Sequence, residues 1–105
     1  KYESECLGIY KYSQTNRFKF MIGVPVHMFG NQEVDFINYT IPATTYAVFS
    51  AYRPITQSVQ SIWDYIYGIW LQNSEYTRGV GDDFEYYFLR QGELFADVYI
   101  PVEKA

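Results

Sequence analysis

The sequence is poor in the residues that form covalent and metal cross-links. One cysteine, Cys6, and one histidine, His27, occur in 105 residues. A single cysteine excludes an internal disulfide and fits a reducing compartment, so we expect a cytoplasmic protein. One histidine cannot build a histidine-based metal cluster, and the adjacent Asp82 and Asp83 lack the ligand spacing of a calcium loop. We therefore expect no metal and no other cofactor.

Basic charge and long apolar runs are also scarce. The chain has 8 Lys and Arg against 12 Asp and Glu, which gives a net charge of −4 and a pI near 4.8. The basic patch that nucleic-acid binding needs is not visible, so we expect no direct nucleic-acid contact, and a partner selected by charge would be cationic. No segment reaches the roughly 18 apolar residues of a membrane span, so we expect no membrane insertion. Glycine loops that hold phosphates and signatures of serine or cysteine nucleophiles are absent as well.

Aromatic rings are what the sequence has in excess. They make up 21% of the residues, with 12 Tyr, 8 Phe and 2 Trp. This is more ring surface than the core of one domain of this length needs. Because rings with polar tips also line ligand pockets, the excess favours a binding protein. We expect residues 1–105 to form a single domain.

Hydrophobic alternation and spacing predict strands around one helix. The first two predicted strands flank the polar turn "SQTNR" and should form a hairpin. The helix follows from Ile62, Trp63 and Ile66, which recur at three-and-four spacing, with Thr56 as its expected N-cap. The predicted order is strand, strand, linker, strand, helix, loop, strand and strand, at residues 5–12, 18–26, 27–40, 46–51, 56–71, 72–81, 83–89 and 95–102.

The two predicted hairpins resemble each other. The first ends "MIGVPV" and the last ends "DVYIPV", and aligning Pro25 with Pro101 places Tyr10 on Tyr86. A strand and a helix precede the second hairpin but not the first. We therefore expect a duplicated strand, helix, strand, strand unit whose first copy lacks its N-terminal strand and helix. The alternative is a chance likeness of two hairpins with proline near the end of an edge strand.

Four stretches together resemble a known family: "IPATTYAVFSAY", "QSVQSIWDYIYGIWLQNSEY", "DDFEYYF" and "ADVYIPVEK". The chain resembles the gyrase-inhibitor-like (GyrI-like) effector-binding domain, the drug-binding domain of AraC-type and MerR-type transcription activators, which also occurs as a stand-alone protein. The resemblance implies an α+β fold, with an antiparallel sheet, a packed helix and a pseudo-twofold between two units. On this reading residues 1–40 hold a partial first repeat and a linker, and residues 41–105 hold the second repeat.

The resemblance also implies a binding site. In members that bind lipophilic cations an acidic residue of the penultimate strand is the counter-ion, and Glu85 within "FEYY" matches it. Tyr87 matches a tyrosine two residues later, and Tyr99 in "DVYIPV" matches an aromatic wall position. Trp63 and Tyr67 on the helix are further candidates for ligand contacts, although rings at such positions more often belong to a helix core.

Strand alternation assigns the residues of strand 83–89 to two faces. One set consists of aromatic residues alone: Phe84, Tyr86 and Phe88. We expect this set to pack under the helix, which leaves Glu85 and Tyr87 on the other face. The alternation of the last strand then allows Tyr99 to share the face of Glu85.

The first hairpin is expected to supply the opposite wall of a cleft. The alignment puts Ile9 opposite Glu85, and it makes Met21 and Gly23 equivalent to positions in the last strand. Met21 would offer an adaptable apolar surface and Gly23 would leave room for a ligand. The same reasoning assigns Tyr10 to the core. Because the first strand and helix are not in the sequence, the second wall could instead come from another copy in a homodimer.

Three functions are consistent with the sequence. The first is a non-enzymatic multidrug-binding domain for hydrophobic cations, with a role in transcription regulation. The second is a hydrolase of reactive hydrophobic molecules in which Glu85 acts as general base beside Tyr87, although no second catalytic acid is evident. The third is a protein-interaction module, such as a gyrase modulator, because an acidic aromatic surface can serve as an interface.

Overall fold

The computed structural model describes residues 4–11, 19–25 and 39–105, so His27 and most of the predicted linker lie outside the described residues. Regular structure begins with a two-stranded hairpin, as predicted. The elements in chain order are β1 (Ser4–Lys11), β2 (Lys19–Gly23), β3 (Tyr46–Ser50), α1 (Ile55–Tyr65), a π-helical turn (Ile66–Trp70), α2 (Leu71–Asn73), β4 (Tyr76–Arg78), β5 (Asp83–Arg90) and β6 (Glu93–Lys104).

The strands form one antiparallel sheet. Its order is β2-β1-β5-β6-β3, and the short strand β4 pairs with the end of β6. The first hairpin and the last hairpin are joined by the pairing of β1 with β5. With the helix on one face of this sheet, the predicted α+β fold is confirmed. None of the helices in the described ranges has the length and apolar character needed to span a bilayer.

The helix begins one residue before its predicted cap. Pro54 occupies the N-cap position in an extended conformation and α1 starts at Ile55, so the prediction of Thr56 as N-cap is wrong. A proline fixes its own φ and has no backbone N–H to satisfy, which suits it to the start of a helix. The hydroxyl of Ser58 accepts a hydrogen bond from the Tyr52 backbone N–H at 2.9 Å, which ties the first turn to the preceding chain.

The core lies between the helix and β6. Ile66 packs against Val98 and Ile100, and all three side chains are fully buried. Burying a side chain of this size contributes about 1.5 to 3 kcal/mol relative to leaving it exposed. Val59 and Val102 extend the same cluster along the helix and the strand. These contacts define which face of β6 lies under the helix.

The register of β5 on β6 decides which side chains of β5 share that face. Glu85 pairs with Val98, and Phe84 pairs with Tyr99. Directly paired residues project to the same side of a sheet, so Glu85 lies on the helix face and Phe84 on the other face. The prediction that Phe84, Tyr86 and Phe88 pack under the helix is therefore wrong. Alternation separates two sets of side chains, but only pairing with a distant strand shows which set faces the helix.

Strand β4 lies within the stretch predicted to be a loop. Its three residues pair with Val102 to Lys104, and the Gly79 N–H donates to the Pro101 carbonyl at 2.8 Å. A Cβ at Gly79 would approach the Val102 backbone to 3.3 Å, so glycine allows this close contact. Three residues are too short a run for alternation to identify as a strand.

Candidate functional site

Glu85 is a buried carboxylate that accepts hydrogen bonds from three aromatic side chains. The indole Nε1–H of Trp63 donates to Oε2 at 2.6 Å, and the hydroxyl of Tyr10 donates to the same oxygen at 3.3 Å. The hydroxyl of Tyr87 donates to Oε1 at 2.8 Å. The residue is only 8% exposed. Three separate elements, α1, β1 and β5, therefore converge on one carboxylate.

A glycine in β1 leaves room for an aromatic ring beside this carboxylate. Gly8 lies directly opposite Glu85 in the pairing of β1 with β5. A Cβ at Gly8 would lie 3.6 Å from Glu85 Oε1 and only 3.1 Å from Cζ of Phe20. The absence of a side chain at Gly8 lets the carboxylate and the Phe20 ring come together on the same face of the sheet.

Aromatic rings form a continuous panel around the carboxylate. Tyr10 meets Phe20 at 4.9 Å between ring centroids and meets the edge of Trp63 at 5.5 Å. Trp63 in turn stacks on Tyr67 at 6.2 Å, with 13° between the ring planes. The two ends of the panel are open to solvent, because Phe20 is 53% exposed and Tyr67 is 43% exposed. A ligand can therefore approach ring surface that is already assembled.

No ion pair within the described ranges includes Glu85. The ion pairs seen there join Arg53 to Glu93, Arg78 to Asp83 and Lys104 to Glu75. The negative charge of Glu85 is thus met by neutral N–H and O–H donors. Burying a carboxylate without a cation is costly even when it is hydrogen-bonded, so these donors only partly offset the cost of placing Glu85 here.

The tyrosines at the site are held in their protonated form. Burial raises the pKa of the Tyr87 hydroxyl, and its hydrogen bond to Glu85 raises it further. Burial also raises the pKa of Tyr10, with the negative charge of Glu85 as the second cause. Both hydroxyls therefore remain donors to the carboxylate at neutral pH. Within the described ranges no group of three His, Cys, Asp or Glu is arranged to hold a metal ion.

Four of the predicted site residues come together here. Tyr87 and Trp63 each donate a hydrogen bond to Glu85, and Tyr67 adjoins them through its stack on Trp63. The π-helical turn that follows α1 carries Tyr67. Such turns alter the phase of a helix and are frequent at functional sites.

Tyr99 lies on the other face of the sheet. Its ring stacks on Phe84 at 4.6 Å between centroids and meets the edge of Tyr46 at 5.8 Å. The expectation that Tyr99 shares a face with Glu85 is therefore wrong. Its cause is the incorrect choice of the helix-facing set on β5.

The predicted opposite wall is also misplaced. Ile9 pairs with Phe84 and with Met21, not with Glu85, and it is buried on the face away from the helix. Gly23 pairs with Leu7 on that same face. These positions of the first hairpin do not face the carboxylate, because the alignment that assigned them placed the strand one residue out of register.

The site contains residues that the sequence analysis missed. Tyr10 was assigned to the core, yet it donates to Glu85. In an antiparallel pair, a local twofold relates residues on the same face of the sheet. A twofold through the opposed Gly8 and Glu85 relates Tyr10 to Tyr87, since each tyrosine follows two residues later. The two-residue spacing from Gly8 to Tyr10 and from Glu85 to Tyr87 could have identified Tyr10 as a site residue. Aligning Tyr10 with Tyr86 hid this correspondence.

The comparison with known families is consistent with a ligand site. A family model described as "Cass2: Integron-associated effector binding protein" matches residues 1–102. This agrees with the resemblance to GyrI-like effector-binding domains and confirms it. No match was found among the curated proteins.

Proposed function

Because the chain belongs to the Cass2 family of integron-associated effector binding proteins, which indicates small-molecule binding, we propose that it binds hydrophobic cations at Glu85. The observation that carries this proposal is the buried carboxylate of Glu85, hydrogen-bonded to neutral donors and flanked by rings. The role is one of binding, with transcription regulation in the cytoplasm as its proposed setting.

The charge of the ligand follows from the donors around Glu85. Neutral donors stabilise the carboxylate but leave its charge uncompensated, so a cation gains Coulomb energy at this site that a neutral molecule does not. The faces of Tyr10, Trp63 and Tyr67 add attraction for the same sign of charge. Each ring contact contributes about 0.5 to 2 kcal/mol, depending on how far the cation is desolvated.

The shape of the ligand follows from the panel of rings. The rings of Trp63 and Tyr67 are stacked with nearly parallel planes, so the outer face of the stack offers a flat surface. Phe20 and Tyr67 expose apolar area at the two ends of the panel. A flat hydrophobic cation can cover this area while its charge lies near Glu85, and rings of this kind accept many shapes.

The same geometry favours binding over hydrolysis. A carboxylate has about four lone-pair positions, and Glu85 already accepts hydrogen bonds from Trp63, Tyr10 and Tyr87. One position remains, but a general base needs it to be accessible to a water molecule, and Glu85 is only 8% exposed. Binding by charge and stacking has no such requirement.

The test uses two molecules of nearly equal shape that differ in charge. Fluorescence titration with 10-methylacridinium measures binding of a flat cation, and acridine at mildly alkaline pH is its neutral counterpart. We expect 10-methylacridinium to bind the unmodified protein more tightly. Glu85→Gln should weaken its binding by about tenfold or more, which corresponds to at least 1.4 kcal/mol. The same substitution should leave acridine binding nearly unchanged.

Glu75→Gln is the matched control, because it removes the same charge at an exposed side chain that pairs with Lys104. Circular dichroism in the aromatic region checks that each variant keeps its packing. Equal affinity of the Glu85→Gln protein and the unmodified protein for 10-methylacridinium would overturn the site. Turnover of a ligand that is lost in Glu85→Gln would favour the hydrolase, and a co-purifying protein without dye binding would favour the interaction module.

A further inference from the structure

A second polar cluster, in which Asp83 is buried, lies beside the ligand panel. Asp83, at the start of β5, forms an ion pair with Arg78 of β4, with 2.7 Å between Arg78 Nη2 and Asp83 Oδ1. The hydroxyl of Tyr67 donates to Asp83 Oδ2. The same hydroxyl accepts a hydrogen bond from Arg78 Nε at 3.3 Å. Tyr67 is therefore held by both members of the ion pair.

The arginine of this cluster is held by backbone carbonyl groups as well as by Asp83. The guanidinium of Arg78 also donates to the carbonyl oxygens of Gly79 and Gly81, each at 2.8 Å. The planar fork of a guanidinium places these donors in a fixed relation to one another. Backbone carbonyls as well as Asp83 therefore fix the position of Arg78. Arg78 in turn helps to fix the Tyr67 hydroxyl through its hydrogen bond from Nε.

Tyr67 connects the Arg78–Asp83 ion pair to the ligand site. Its ring stacks on Trp63, whose indole N–H donates to Glu85 at 2.6 Å. Burial and the hydrogen bond to Asp83 raise the pKa of Tyr67 to about 12, so the hydroxyl remains a donor at neutral pH. A contiguous set of contacts therefore runs from Arg78 through Asp83, Tyr67 and Trp63 to Glu85.

We propose that Arg78 and Asp83 are positioning residues of the ligand site: they hold Tyr67 flat on Trp63, and through Trp63 they hold the indole N–H on the Glu85 carboxylate. A panel that is already ordered binds a flat cation with less loss of side-chain freedom. The effect on ligand affinity rests on the proposed function, whereas the effect on Trp63 does not.

The first measurement needs no ligand. The indole Nε1–H proton of Trp63, recorded by 1H–15N NMR and assigned by its loss in Trp63→Phe, reports the hydrogen bond to Glu85. Asp83→Asn and Tyr67→Phe should both move this resonance upfield and increase its exchange with water. Tyr67→Phe is the decisive variant, because it keeps the ring and the Arg78–Asp83 pair and removes only the connecting hydroxyl.

Arg53→Met is the control for the loss of an ion pair elsewhere in the protein. It removes one positive charge from the exposed pair with Glu93 and leaves the Arg78 cluster intact, so the Trp63 resonance should not move. An ion pair that merely stabilises the fold would leave the indole resonance of the folded variants in place. An unchanged resonance in folded Tyr67→Phe and Asp83→Asn would overturn the proposal.

The second measurement is titration with 10-methylacridinium. Tyr67→Phe and Asp83→Asn should weaken its binding about threefold to tenfold, and Arg53→Met should not. If the dye does not bind the unmodified protein, the proposed function fails while the indole resonance still decides the positioning role. If the dye binds and the resonance moves but affinity does not change, Trp63 is held by the cluster without effect on the ligand, and the proposed control of affinity is wrong.

Discussion

Gly8 lies directly opposite Glu85 where β1 pairs with β5, and a Cβ at Gly8 would lie 3.6 Å from Glu85 Oε1. At that distance the carboxylate would be in ordinary van der Waals contact with a methyl group. The Phe20 ring, on the next strand along, lies closer, at 3.1 Å from that Cβ position, so it is the ring that uses the room left by glycine. The first hairpin thus shapes the site through the missing side chain at Gly8 as well as through the rings of Tyr10 and Phe20.

Gly8→Ala should disturb the site more than the fold. The added methyl group must displace the Phe20 ring, so we expect about a threefold to tenfold weaker binding of 10-methylacridinium, or about 1 kcal/mol. Gly23→Ala is the matched control in the same hairpin, because a Cβ there meets nothing within 4 Å. Fluorescence titration of both variants gives the comparison. Equal effects of the two substitutions would contradict the role of Gly8.

Tyr10 and Tyr99 should differ in their effect on the ligand. Tyr10 lies at the carboxylate, whereas Tyr99 stacks on Phe84 on the other face of the sheet. Tyr10→Leu removes one ring contact and should weaken 10-methylacridinium binding by about 1 kcal/mol, roughly fivefold. Tyr99→Leu should leave the affinity unchanged in the same titration. If only Tyr99→Leu lowers the affinity, the ligand binds on the face of the sheet opposite Glu85 and our site is wrong.

The two members of the Arg78–Asp83 ion pair, of which Asp83 is the buried one, should differ in their effect on stability. Burial raises the pKa of Asp83, and this outweighs the stabilisation of its charge by Tyr67 and Arg78. Asp83→Asn removes a costly charge and should lower the free energy of unfolding by less than about 1 kcal/mol. Arg78→Met leaves the carboxylate without its cation and should cost about 2 to 3 kcal/mol.

Urea unfolding of both variants and of the double variant provides the test of this asymmetry. The double variant should recover part of the loss seen in Arg78→Met, because it no longer buries an unpaired carboxylate. If Asp83→Asn costs as much as Arg78→Met, the attraction between the two charges exceeds the cost of burying Asp83, and the expected asymmetry is wrong.

Stability should fall at alkaline pH. The pKa of Tyr67 is raised to about 12 from an ordinary value of 10.0, so the folded state holds this proton more tightly than the unfolded state. The resulting stability is fully present below about pH 10 and is lost as the pH rises toward about 12. Urea midpoints measured across this range should decline, and less steeply in Tyr67→Phe.

Tyr52→Phe is the control for the alkaline measurement, because this side chain is 78% exposed. It should follow the unmodified protein. An identical slope for Tyr67→Phe and the unmodified protein would show that Tyr67 does not contribute to the pH dependence.

Local patterns were sufficient for much of the fold. Three-and-four spacing of Ile62, Trp63 and Ile66 identified the helix, and alternation identified five strands close to their observed bounds. The short strand β4 was not predicted, because three residues are too few to show an alternating pattern. The family resemblance added Glu85 and Tyr87, and the predicted helix added Trp63 and Tyr67 as further candidates. The structure brings these four residues together.

The sequence by itself determined which residues alternate along β5, and hence that Glu85 and Tyr87 share a face apart from Phe84. Only the tertiary structure decided that this face lies under the helix, because the answer depends on the pairing of Glu85 with Val98. The pairing of Gly8 with Glu85 likewise placed Tyr10 at the carboxylate. A shift of one residue in the pairing of distant strands moves a side chain to the opposite face of the sheet. The local sequence of a strand does not determine that pairing register.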